Sequence, residues 1–126
     1  MPLVHHELCF GCGRTNLFGL LLEVEEVAPS AVAGRCFIKQ DHQGAAGDRA
    51  HDGVVCAALA EAMGLACGLD ARAVSFEVSL EGAAPVGAYL EVRARVQSRD
   101  GPLAYATAAA SAEGRVVAQA KGRFRS

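Results

Sequence analysis

Residues 51–68 read HDGVVCAALAEAMGLACG, and this stretch decides the fold. Over Gly53–Ala66 every position is apolar except Glu61, which is typical of a helix that is buried on all sides. Asp52 is a good N-cap residue and Gly68 is a good stop signal, so we predict one helix of about 14 residues. A helix of that length is too short to span a membrane.

Six segments with strand character surround this helix in the sequence. The first two are joined at Pro29-Ser30, which predicts a β-hairpin. The four after the helix are separated by glycine-containing turns, which predicts an antiparallel meander. The segments are residues 20–27, 31–38, 74–81, 90–97, 104–112 and 116–125. The order β-β-α-β-β-β-β predicts a single α+β domain over residues 1–126, in which an antiparallel sheet wraps around one central helix.

The composition of the chain disfavours several classes of function. The 126 residues are 52% hydrophobic with a net charge of -2, which disfavours a protein that neutralises many nucleic-acid phosphates. No apolar run is long enough for a membrane span, and the first residues lack the pattern of a secretory leader. Five cysteines form an odd set that fits reduced thiols. We therefore expect a cytoplasmic protein that binds neither nucleic acid nor membranes.

Three motifs occur in a fixed order along the chain. The first is Cys9-Phe10-Gly11-Cys12-Gly13, followed by Asn16-Leu17-Phe18-Gly19-Leu20. The second is His42-Gln43-Gly44, followed by His51-Asp52-Gly53-Val54-Val55, and the third is Glu61-Ala62-Met63-Gly64. In this order they resemble the hotdog-fold acyl-CoA thioesterases of the phenylacetate-pathway type, and the resemblance covers roughly residues 9–124.

The resemblance implies a fold, a reaction and an assembly. It implies a hotdog fold in a homodimer or a dimer of dimers, and hydrolysis of an acyl-CoA thioester without an organic cofactor. It also implies that the Gly53 amide receives the thioester carbonyl oxygen. The family places a carboxylate, contributed by the partner subunit, nine residues after the histidine. In this sequence that position is Ala60, so the usual catalytic carboxylate is absent.

Glu61 is the first candidate for the missing base or nucleophile. It is the only ionisable residue within the predicted buried helix, and a buried carboxylate is costly unless it has partners or a chemical role. It lies one residue beyond the family position, which rotates it by about 100° around the helix. The alternative is a structural Glu61 that bonds loop amides or a residue at a subunit interface.

The remaining candidate residues lie near the motifs. We predict catalytic roles for Gly53, whose amide lies at the positive end of the helix, and for His51 and Gln43. Four further residues are candidates for substrate contact: Asn16, Asp52, Val54 and Met63. An alternative function is also open, since Ala60 and Asp52 are compatible with an impaired hotdog protein that binds an acyl thioester, or another small hydrophobic ligand, without turnover.

Cys9 and Cys12, with His5 and His6 before them, have the spacing of half a zinc site. A complete Cys₄ site would need a second Cys-x-x-Cys pair, and the sequence has none. From the sequence we therefore expect no metal, and the two histidines keep the question open.

Overall fold

The computed structural model describes all 126 residues. Its elements follow the predicted order, with one α-helix and six strands. The strands are β1 (Glu23–Ala28), β2 (Ala31–Phe37), β3 (Arg72–Leu80), β4 (Tyr89–Asp100), β5 (Leu103–Ala112) and β6 (Arg115–Arg125); the helix α1 is Asp52–Cys67, and a short 3-10 helix is Gln40–His42. Neither helix combines the length and the apolar character that crossing a membrane requires.

The six strands form one antiparallel sheet in the order β1-β2-β4-β5-β6-β3. The predicted antiparallel sheet around one helix is therefore confirmed. The predicted meander holds for β4, β5 and β6, but it is wrong for β3, which pairs with β6 at the sheet edge. β4 lies beside β2 instead, where Cys36 of β2 faces Leu90 of β4 and both residues are buried.

One face of the sheet covers α1. The side chains of β5 that face the helix are all alanines, and all are buried: Ala104, Ala106, Ala108, Ala110 and Ala112. Because these side chains are small, the sheet can approach the helix closely. Within α1, Ala58, Leu59, Ala62 and Met63 have no exposed surface, so the centre of the helix lies in the core.

The two ends of α1 differ from each other in how well the sequence predicted them. Gly68 ends the helix as predicted, with its N–H donating to the Gly64 carbonyl oxygen. The prediction that Asp52 is the N-cap is wrong, because His51 caps the helix and Asp52 is its first residue. The His51 ring nitrogen Nδ1 accepts a hydrogen bond of 2.8 Å from the Gly53 N–H, which is the kind of bond that Asp52 was expected to make to this turn.

The N-terminal segment, residues 1–22, lies against the rest of the core without forming a helix or a strand. Its two halves are tied together by backbone hydrogen bonds, from the Leu20 N–H to the Phe10 carbonyl at 2.7 Å and from the Leu22 N–H to the Gly11 carbonyl at 2.9 Å. Leu20 and Leu22 are buried by this folding-back. For this reason β1 begins at Glu23, three residues later than predicted.

The close approach of β5 to α1 makes this layer intolerant of added volume. We expect Ala110→Leu, on the fully buried face of β5, to lower the free energy of unfolding by about 1–3 kcal/mol. The matched control is Ala109→Leu, at a half-buried position on the opposite face of the same strand. Urea unfolding of both variants checks the prediction, which fails if Ala110→Leu is no less stable than Ala109→Leu.

Candidate functional site

Glu61 contacts two side chains of the N-terminal segment, and a third side chain lies beside them. Its Oε2 lies 3.0 Å from His5 Nδ1 and 3.4 Å from the Cys9 sulfur. The Cys12 sulfur lies 3.4 Å from the same His5 nitrogen, and the Cys9 sulfur lies 3.6 Å from it. Of the explanations open from the sequence, bonding to loop amides is not observed. Glu61 belongs instead to a cluster of four side chains that we call the His5–Glu61 cluster: His5, Cys9, Cys12 and Glu61.

A glycine makes room for the Glu61 carboxylate. A Cβ at Gly11 would lie 2.4 Å from Glu61 Cδ and 2.7 Å from Oε1, so any larger residue would push the carboxylate away. The Glu61 side chain retains 15% of its exposed surface and the His5 side chain 22%. The cluster is therefore shielded but not sealed from solvent.

Burial also sets the chemistry of the cysteine thiols. The five cysteines form no disulfide. Burial, and next the nearby Glu61 carboxylate, raise the pKa of Cys12 to about 12. Burial alone raises the pKa of Cys36 to about 12. With no ion bound, both thiols stay protonated at neutral pH, and the buried Cys36 behaves as a small core hydrophobe.

A pocket of about 320 Å³ adjoins the cluster. Its walls come from the N-terminal segment, one side of α1, the turn before β3, and the ends of β3 and β6. Most of the lining is apolar or glycine, and Glu61 is the only carboxylate in it. The lining residues are His5, Cys9, Phe10, Gly11, Ala57, Ala60, Glu61, Gly64, Ala71, Ala73 and Phe124. Ala60, where the resembling family has its carboxylate, faces this same pocket.

The start of α1 offers fewer backbone donors than the sequence suggests. The Gly53 N–H, predicted to be free for a carbonyl oxygen, already donates to His51 Nδ1. The N–H groups of Val54 and Val55 donate to the His51 carbonyl. The Asp52 N–H has no acceptor in the chain, so it is the one open donor in this turn. The observed contacts of His51 therefore give it a structural role as the cap of α1.

Glu61 and the start of α1 are far apart in one chain. Gly53 and Glu61 are eight residues apart in a helix that rises about 1.5 Å per residue, which separates them by about 12 Å along the axis. A thioester carbonyl and the water that attacks it occupy a much smaller space. The two predicted catalytic groups of one chain therefore cannot act on the same bond.

The other predicted site residues lie away from the cluster. The amide of Gln43 donates to the Gln40 carbonyl and accepts from the Asp48 N–H. Asn16 bonds Leu8 and Phe18 in the same local way. These amides stabilise their own loops. Three candidates remain at the start and centre of α1: Met63 is fully buried and has no surface to offer a ligand, Asp52 is exposed, and Val54 is half-buried.

His42 is a residue whose importance the sequence did not indicate, apart from its place in a motif. It is buried, its Nδ1 accepts from the Lys39 N–H at 3.0 Å, and its carbonyl accepts from the His51 N–H at 2.7 Å. Its Nε2 is buried without a hydrogen-bond partner. Burial, and next the charge of Lys39, lower the pKa of His42 below its ordinary value. The ring is therefore held neutral where it supports the turn into α1.

This lowered pKa predicts a loss of stability in mild acid. Below the ordinary histidine pKa of about 6.5 the unfolded chain takes up a proton that the folded chain refuses, so the free energy of unfolding falls as the pH falls. We expect His42→Asn to flatten this dependence between about pH 7.5 and about pH 5.5. Urea midpoints across that range measure it, with the exposed His6→Asn as the control. Equal slopes for wild type and His42→Asn would contradict it.

A larger depression, of about 850 Å³, lies on the opposite face of the sheet. It is shallow and is lined by alanines together with long charged side chains such as Arg93, Arg95 and Lys121. No partly buried titratable group faces it. The smaller pocket beside Glu61 is the candidate site, because it combines an apolar wall with a shielded carboxylate.

Solved structures resemble this one closely in backbone. A thioesterase superfamily protein matches with a TM-score of 0.85 and 18% identity, over 95% of this chain and 61% of that chain. A mutant of the phenylacetic acid degradation protein PaaI from Thermus thermophilus matches with a TM-score of 0.76 and 25% identity, over 82% of this chain and 91% of that chain. The PaaI protein of the E. coli phenylacetic acid degradation operon matches with a TM-score of 0.77 and 14% identity, over 84% and 79% of the two chains.

No protein-family model matches the sequence, and no curated protein sequence matches it either. The structural comparisons nevertheless define the fold. With its six-stranded antiparallel sheet around one helix, the chain has the hotdog fold of its thioesterase superfamily neighbours, which is the fold that the resemblance implied.

Proposed function

We propose that this protein hydrolyses an acyl-CoA, or a related acyl thioester, in the pocket beside Glu61. The observation that carries the proposal is a single shielded carboxylate in the wall of an apolar pocket, on a fold shared with proteins named as thioesterases. The apolar wall suits an acyl chain, and the carboxylate suits the activation of water. Five cysteines without a disulfide favour the reducing cytoplasm as its location.

The two carboxylate oxygens of Glu61 have different surroundings. Oε2 is held by His5 and Cys9, while Oε1 lies beside Gly11 and accepts no hydrogen bond from the chain. In the proposed reaction Oε1 takes a proton from water as the water oxygen bonds to the thioester carbonyl carbon. The carbon–sulfur bond then breaks, and the released thiolate takes up the proton. The products are a carboxylic acid and the free thiol.

Backbone amides at the start of α1 are suited to stabilise the oxyanion, because the helix dipole places partial positive charge there. The open donor is the Asp52 N–H; Gly53 could contribute only after His51 turns away from it. The separation of about 12 Å between this turn and Glu61 requires the two groups to come from different chains. We therefore propose a homodimer, alone or in a dimer of dimers, in which each site combines the helix start of one chain with Glu61 of the other.

β3 supports a dimer of this kind. It pairs only with β6, so its other edge has unpaired backbone groups. Val74, Phe76 and Leu80 leave between 41% and 46% of their surface exposed along this strand. β3 also carries Ala73, which lines the pocket beside Glu61. A second copy covering this edge would close the pocket as well.

The proposed hydrolysis predicts a large effect of one substitution. We expect Glu61→Gln to lower kcat/KM by about 10²- to 10⁴-fold, because the amide cannot take the proton from water. The assay is release of free thiol from short, long and aromatic acyl-CoAs, corrected for the cysteines of the protein. The matched control is Glu77→Gln, since that exposed glutamate pairs with Lys121 on the other face of the sheet.

Equal turnover in Glu61→Gln and wild type would remove Glu61 from the mechanism.

A second candidate function rests on the contacts of Glu61 with His5 and Cys9, because a carboxylate engaged in this way suits a protein that binds an acyl thioester, or another small hydrophobic ligand, without hydrolysing it. Acyl-CoA binding by calorimetry, with no turnover by wild type, would favour that function.

The proposed dimer predicts a change of mass when the β3 edge is made polar. We expect the wild type to elute at twice the chain mass or a higher multiple in size-exclusion chromatography with light scattering. Val74→Lys, at an exposed apolar position, should shift the protein toward the monomer. Ser75→Lys, at the next position of the same strand, is the control, because it adds the same charge without removing an apolar side chain. A monomeric wild type would exclude the two-chain site.

A further inference from the structure

We propose that the His5–Glu61 cluster is a metal site, and that it binds zinc. The four side chains each offer one ligand atom, and these atoms all lie within 4.8 Å of one another. This inference goes beyond the proposed hydrolysis and does not depend on it. It also replaces the expectation from the sequence that no metal is bound.

The distances within the cluster fit a tetrahedral ion. Zinc bonds sulfur at about 2.3 Å and nitrogen or oxygen at about 2.0–2.1 Å, which places neighbouring ligands of a tetrahedron about 3.3–3.8 Å apart. The contacts here are 3.0 Å from His5 Nδ1 to Glu61 Oε2, and 3.4 Å and 3.6 Å from that nitrogen to the two sulfurs. The Cys9 sulfur lies 3.4 Å from Glu61 Oε2. Small adjustments of side chains are enough to surround an ion.

The kinds of ligand select the metal. Two thiolates and an imidazole form a soft donor set, which suits zinc and disfavours magnesium and calcium. The carboxylate completes a set of four protein ligands. Four protein ligands are typical of a structural zinc site, whereas a catalytic site keeps one position for water.

The backbone around the two cysteines supports the same conclusion. The His5 N–H lies 3.2 Å from the Cys12 sulfur and donates to it, and such bonds stabilise a thiolate that binds a metal. The Gly13 N–H donates to the Cys9 carbonyl at 2.9 Å, which folds the Cys-x-x-Cys stretch into a tight turn. A Cβ at Gly13 would lie 2.4–2.6 Å from backbone atoms of Glu7 and Cys9. This turn aims both sulfurs at His5 and Glu61.

A bound ion would also serve the fold. His5, Cys9 and Cys12 belong to a segment without helix or strand, while Glu61 belongs to the central helix. The ion would cross-link two parts of the chain that lie 56 positions apart at His5 and Glu61. It would hold Glu61 Oε2 and leave Oε1 beside the pocket, so a metal at this site and a role for Glu61 in hydrolysis are compatible.

Metal content of the untagged protein tests the proposal directly. We expect about one equivalent of zinc per chain in elemental analysis, after purification without chelator or histidine tag. Cys9→Ser and Cys12→Ser should each lower the zinc content several-fold. The matched control is Cys56→Ser, which alters a cysteine on α1 outside the cluster and should retain zinc at the wild-type level.

A second measurement covers the case in which the buried Cys12 is needed for folding. Protein stripped of metal by a chelator is titrated with Co²⁺, whose thiolate charge-transfer absorption reports bonding to cysteine sulfur. We expect that absorption in wild type and in Cys56→Ser, and a weaker one in Cys9→Ser and His5→Ala, whose side chains are partly exposed. Folding of each variant is checked by circular dichroism.

Zinc well below one equivalent, together with no thiolate absorption after addition of Co²⁺, would overturn the metal site. Equal metal in wild type and in a folded Cys9→Ser variant would overturn it too, because the ion would then be bound elsewhere. The hydrolysis proposal fails differently, through the absence of turnover by a protein that has its zinc. The two proposals therefore have separate readouts.

Discussion

The structure depends on one constraint, the absence of a polar face on α1. A helix that is apolar on all sides must be covered on all sides, and a single sheet covers only one of them. The alanines of β5 let the sheet approach closely, and the N-terminal segment folds back through its bonds to Leu20 and Leu22 to cover another side. Glu61 interrupts the apolar surface on that second side. The covering segment therefore has to supply polar partners, and it does so with His5 and Cys9.

The sequence predicted the elements well because hydrophobic periodicity is a local signal. The apolar run of α1, the alternation in β3, β4 and β6 and the run of small residues in β5 can each be recognised within a dozen residues, and Gly68 by itself indicates where the helix ends. The pairing of β3 with β6 could not be read this way, because periodicity says which face is buried and nothing about which strand lies alongside. The prediction of Asp52 as N-cap, where the structure has His51, failed for a similar reason. Both residues have an acceptor, and only the backbone path decides which one reaches Gly53.

In the candidate site, too, features that are local in the sequence could be predicted and contacts between distant residues could not. Glu61 could be selected from the sequence, since a lone carboxylate in an apolar helix requires an explanation. Its partners could not, because His5 and Glu61 are 56 positions apart and meet only when the N-terminal segment has folded over α1. The spacing of Cys9 and Cys12 indicated half of a ligand set, and the helix holds the residue that completes it. The amides of Gln43 and Asn16 bond their own loops, a common use of such side chains that composition does not distinguish from a role in a site.

The position of α1 in the chain has a consequence for how the protein is made. During synthesis the helix leaves the ribosome after β1 and β2 but before the strands that cover most of it, because β4, β5 and β6 begin at residues 89, 103 and 115. Until those strands emerge, the most apolar stretch of the molecule has only the β1–β2 pair of the sheet to pack against. Nascent chains in that state are prone to aggregation and are bound by chaperones. The last strand is therefore also the one that ends this exposure, through Phe124, which packs beside Gly64 near the C-terminal end of the helix.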